Sequence, residues 1–134
     1  MTLADVRADI VILSCAISAG IHGALVPDHF EEGTGAGLGF VVAAVLLALL
    51  AVVLTRKPTQ LALGATTAVF AGLIASYALA VTTGFPLLHP EPEALDGLAL
   101  FTKAVEAIGL VLAAGHLRRP SLTLTLRQPK GTPT

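Results

Sequence analysis

The sequence predicts an all-α, integral membrane four-helix bundle with both termini cytoplasmic, and three observations predict it. The 134-residue chain is 54% hydrophobic and only 13% charged, more apolar than a soluble core of this size needs and less charged than a soluble surface requires. Its apolar residues fall into four blocks, at about 10–27, 37–55, 60–84 and 97–117. Each is close to the roughly 20 residues that cross about 30 Å of hydrocarbon as a helix. Finally, the basic residues alternate with the blocks. Arg7 precedes the first, Arg56 and Lys57 follow the second, and Arg118, Arg119, Arg127 and Lys130 follow the fourth. The other two connections have no lysine or arginine and carry Asp28, Glu31, Glu32, Glu91, Glu93 and Asp96. The positive-inside rule places those acidic loops outside. Positions 1–120 form one transmembrane domain, crossing the plasma (cytoplasmic) membrane several times, and 121–134 a mostly disordered cytoplasmic tail. The bilayer is the implied partner, and the acidic loops do not suggest nucleic acid.

Taken in order, the polar start MTLADVRAD puts Asp5 and Asp9 where carboxylates favour the positive end of a helix dipole. The first span runs to about Val26, because Pro27 biases its predecessor away from helical geometry and ends or kinks the helix. Ala16, Gly20 and Ala24 recur every four residues along it, as do Cys15, Ala19 and Gly23, and such spacing lets helices approach closely in lipid. Ser14, Ser18 and His22 form a polar row. DHFEEGTGAG reads as a short glycine-rich loop. The second span has no ionisable residue and reads as a lipid-facing wall without chemistry. The third carries Gly64, Ala68, Gly72, Ser76 and Ala80, the longest small-residue ladder and an expected packing seam. Through such faces the chain would meet a protein partner or a second copy of itself. Pro86, Pro90 and Pro92 stiffen the next loop around His89. The fourth span encloses Lys103 and Glu106, and Leu122–Leu126 alternates leucine and threonine like a short strand.

The candidate site comes from depth. An ionisable group inside a span costs about 2.5–3.5 kcal/mol at mid-helix on insertion scales, so it faces protein and finds partners. At 1.5 Å per residue, His22 lies about 7 Å below Pro27, Tyr77 about 10 Å below Gly84, and Lys103 and Glu106 about 10 and 15 Å below Asp96. Together with Ser18 they form one polar layer, under a rim that holds Asp28, His29 and His89. Lys103 and Glu106 are three apart and able to pair on one helical face. Imidazole and carboxylate suit zinc, copper or iron, with zinc or copper the divalent metal expected, and a lone cysteine with no methionine cluster argues against a soft copper(I) site. His22, His29, His89 and Glu106 are therefore the candidate metal ligands, with Ser18, Asp28, Tyr77 and Lys103 supporting them. His22 and His29 are about 10 Å apart in rise on a continuous helix, too far for one ion unless the chain folds back at Pro27.

Three segments, His22 with Val26-Pro27-Asp28-His29-Phe30-Glu31, Thr83-Gly84-Phe85-Pro86, and Asp96 with Glu106, resemble small, functionally uncharacterised four-span bacterial membrane proteins. The resemblance implies that these segments belong together and carries no activity. The residues leave three readings open: a metal-binding or accessory subunit with an outward-facing site, a scaffold or assembly subunit without a ligand, and a proton or ion relay through His22, Lys103 and Glu106. No nucleophile–base pair, phosphate loop or zinc-protease motif marks an enzyme.

Overall fold

The computed structural model describes residues 2–84 and 92–117. These form four helices, α1 (Leu3–Glu32), α2 (Thr34–Arg56), α3 (Gln60–Thr82) and α4 (Gly97–Leu117). All four are long and apolar enough to cross a membrane. Each packs against two neighbours in the ring α1–α2–α3–α4, with α1–α2 the most extensive interface and α2–α3 the thinnest. Up-down connectivity gathers the end of α1, the start of α2, the end of α3 and the start of α4 at one pole. That acidic pole carries Asp28, Glu31, Glu32, Glu93 and Asp96, and the opposite, basic pole carries Arg7, Arg56 and Lys57.

Local chemistry sets the helix ends. Thr2 and Asp5 form a capping box, in which Thr2 Oγ1 accepts from the Asp5 N–H at 3.2 Å and Asp5 Oδ2 from the Thr2 N–H at 2.6 Å. Thr59 caps α3 through the Ala62 N–H at 3.1 Å. Asp96 caps α4, its Oδ1 accepting from the Ala99 N–H at 2.9 Å. Each satisfies donors that the first helical turn leaves open.

α1 does not stop at Pro27. It continues to Glu32, and a single residue, Gly33, separates it from α2, where the sequence suggested a ten-residue loop. Bonds within the last turns of α1 and one contact with α2 override the local bias of the proline. His29 Nδ1 donates to the Leu25 carbonyl at 2.9 Å, the Gly33 N–H to the His29 carbonyl at 3.1 Å, and the His29 ring stacks on Phe40 of α2 at 3.5 Å. Phe30 closes the hairpin by lying directly on Gly37, where any β-carbon would strike its ring.

Towards the basic pole the bundle has a dry core of Val11, Cys15, Leu47, Leu54, Leu63, Phe70 and Ala113. Gly109 is indispensable there: a β-carbon on it would collide with the Phe70 ring and lie 2.9 Å from Ser14 Cβ. The small-residue ladder of α3 is internal only at its ends: Ala80 is buried and Gly64 half-buried, whereas Ala68, Gly72 and Ser76 are exposed, and Leu63, Thr66 and Phe70 are buried instead. On α1 likewise Ala16, Gly20 and Ala24 face outward. Larger side chains fill the interior here, where each makes more dispersion contacts than a glycine or alanine would.

Candidate functional site

Between the dry core and the acidic pole lies a polar cluster centred on Glu106, which is fully buried. α4 supplies Glu106 and, one turn earlier, Lys103, whose Nζ donates to Glu106 Oε2 at 2.6 Å. α1 supplies Ser18 and His22. Ser18 Oγ donates to Glu106 Oε1 at 2.7 Å, and His22 Nε2 stands 4.0 Å from the same oxygen. Both carboxylate oxygens are thus engaged, and the adjacent ammonium balances the charge. That is the condition for holding an ion pair away from water.

His22, only 6% exposed, is fixed by its own helix. Its Nδ1 lies 2.9 Å from the Ser18 carbonyl, which only a donor can face. In the neutral ring the proton therefore sits on Nδ1, and Nε2 is an acceptor. His29 repeats the pattern one step up, with Nδ1 on the Leu25 carbonyl and Nε2 3.9 Å from Glu32 Oε2.

Above the cluster opens a chamber of about 480 Å³, bounded by all four helices, with Glu93 and Asp96 at its mouth. Its floor is polar, formed by His22, Lys103 and Tyr77, and its walls are largely apolar, including Ile21, Leu25, Phe40, Leu73 and Leu98. Lys103 Nζ lies 5.6 Å from the centre of the Tyr77 ring, within cation–π range. The Tyr77 hydroxyl is buried and has no hydrogen-bond partner among the described residues. Leaving such a group unsatisfied costs about 1–3 kcal/mol.

The structure brings together Ser18, His22, Lys103 and Glu106, with Tyr77 and His29 on the same chamber. It leaves Asp28 exposed and outside the chamber lining. His89 and the suggested strand at 122–126 lie outside the described residues. His22 and His29 do not fold back on each other, because α1 is continuous through Pro27, and Phe40 contacts both rings, at 3.5 Å from His29 and 5.2 Å from His22. Among the described residues no three His, Cys, Asp or Glu side chains form a group able to hold a metal ion. Phe40 is the site residue that sequence reasoning missed. It sits in a span without ionisable groups, and the only available signal was an aromatic residue level with His29 across the turn.

No family model, curated protein or solved structure matches the chain. Its function is therefore argued from the chemistry of the cluster and the chamber above it.

Proposed function

We propose that this chain is a small multi-pass protein of the cytoplasmic membrane, with both termini inside, whose outward-facing chamber binds a small molecule without catalysing a reaction. One observation carries the reading: a chamber of about 480 Å³ ends on a buried, charge-balanced cluster that keeps an acceptor nitrogen at its floor. Ligand sites are typically concave, mostly apolar and supplied with a few placed polar groups, at about 300–1,000 Å³. A pair that only locked two helices together would not need such a space above it. A through-going ion path is disfavoured, because Val11, Cys15, Leu47 and Phe70 fill the bundle below Glu106.

Native mass spectrometry of protein extracted gently from its membrane tests this. The wild type is expected to carry a non-protein mass of a few hundred daltons that Gly39→Leu loses, since Gly39 lines the chamber and a β-carbon there meets nothing within 4 Å. Absence of any bound mass in both, or equal retention by both, would overturn the reading.

A second reading, a zinc or copper site, is favoured by the way both histidines are held. Metal-binding imidazoles commonly fix one nitrogen on a backbone carbonyl and leave the other for the ion, as His22 and His29 do here. Glu106 and His89 would be the further ligands. Against it, His22 and His29 stay two turns apart on a continuous helix, no metal-holding group forms among the described residues, and Lys103 occupies Glu106 Oε2 and places a positive charge beside the site. Equilibrium dialysis with zinc, comparing wild type with His22→Ala, decides: loss of stoichiometric binding in the variant supports a metal site, and negligible binding by both excludes it.

A further inference from the structure

We infer that the chamber is a binding site for a lipid-phase alcohol or phenol, a neutral hydrophobic molecule whose hydroxyl sits between His22 Nε2 and Lys103 Nζ and which enters between α2 and α3. This rests on the ligand reading above and narrows it to a chemical class.

Charge is the first argument. Lys103 and Glu106 already neutralise each other at 2.6 Å. A carboxylate or ammonium ligand would add an uncompensated charge at membrane depth, whereas a neutral one adds none. The second argument is the match of donors and acceptors. His22 Nε2 and Lys103 Nζ flank one carboxylate, at 4.0 Å from Glu106 Oε1 and 2.6 Å from Glu106 Oε2. The imidazole nitrogen takes a hydrogen bond and the ammonium, with donors left over, gives one. A hydroxyl is the smallest group that both gives and takes. A carbonyl or an ether only takes, and would leave Nε2 unmatched.

The walls and the access route supply the rest. Leu25, Phe40, Leu73 and Leu98 would surround the apolar body of such a molecule. The thinnest of the four neighbouring helix interfaces is α2–α3, and on the chamber side α2 presents Phe40 together with Gly35, Ala36, Gly39 and Ala43, four positions with nothing larger than a methyl group. An apolar ligand dissolved in the bilayer meets that side first.

The test uses para-hexylphenol and its methyl ether, titrated by calorimetry into the full-length protein in lipid nanodiscs against empty nanodiscs. The two probes share body and tail, and only the phenol can donate. The phenol is expected to bind about tenfold more tightly than the ether, the size of one net hydrogen bond. His22→Leu should reduce that preference to about one while ether binding persists, which shows that the chamber is intact. Gly39→Leu should abolish binding of both. Equal affinities for phenol and ether in the wild type, or a phenol affinity unchanged by Gly39→Leu, would overturn the inference. If His22→Leu fails to bind the ether, the same ratio measured in His22→Phe, which keeps an aromatic ring and removes the acceptor nitrogen, takes its place: a ratio reduced severalfold supports the site and an unchanged ratio contradicts it. A co-purified mass that lacks a hydroxyl would sink this inference and leave the ligand reading standing.

Discussion

The two halves of the bundle solve opposite problems with the same four helices. Towards the basic pole, Phe70 presses on Gly109 and Ser14, and Val11, Cys15 and Leu47 are fully buried. Towards the acidic pole, the same helices spread around a chamber of about 480 Å³, and a glycine at position 39 faces open space. A membrane protein that needs only to fold gains from the first arrangement throughout, because dispersion contacts drive helix association in lipid. Keeping the second arrangement forgoes those contacts, and placing a carboxylate, an ammonium and an imidazole beneath it adds desolvation. The contrast is what singles out the acidic half as the place of the proposed site, and substitutions on either side of it test how sharp the boundary is.

The largest effect is expected at the boundary itself. Glu106→Leu leaves Lys103 as an uncompensated charge, and loss of one partner of a buried pair costs about 3–5 kcal/mol. Glu106→Leu combined with Lys103→Met should recover most of that loss in denaturant titrations of the detergent-solubilised protein. A double variant no more stable than Glu106→Leu alone would mean that the pair is not coupled.

Next comes Gly109→Ala, which forces the Phe70 ring aside in the packed half. Overpacking of this kind costs about 1–3 kcal/mol, and the midpoint of thermal unfolding should fall accordingly. The mirror experiment in the open half, Gly39→Ala, should be the mildest of the set. With no neighbour within 4 Å of the new methyl group, the change should stabilise the helix by about 0.5–1 kcal/mol through backbone entropy. Equal losses at positions 39 and 109 would abolish the distinction between the halves.

Much of this was legible in the sequence, for identifiable reasons. Apolar block length marks the four helices, and α4 begins and ends where its block does. The spacing Lys103–Glu106 marks a pair on one face, and counting residues from the helix ends puts His22 and Glu106 at compatible depths. What escaped depends on rotation and on contacts between helices. Pro27 is a local signal for a break, but His29 and Phe40 hold the next turn in place. The ladder shows which residues permit close approach without showing which way they face: Ala68 and Gly72 are exposed, and Ser76 lines the chamber. Phe40 lies in a stretch where every residue is apolar, so its place against two imidazoles has no signature in composition.

The central claim is that the acidic half is an open chamber and the basic half a closed core. Thiol labelling in intact membrane vesicles tests it most directly. Cys15, fully buried in the core, is the internal control in the wild type. Gly39 lines the chamber and is exposed, and Gly39→Cys in a Cys15→Ala background provides the probe. A small, cationic, membrane-impermeant methanethiosulfonate added from the extracytoplasmic face should modify the cysteine at position 39 and leave Cys15 untouched. Protection of both positions from that face, or modification of position 39 only from the cytoplasmic face, would contradict the account.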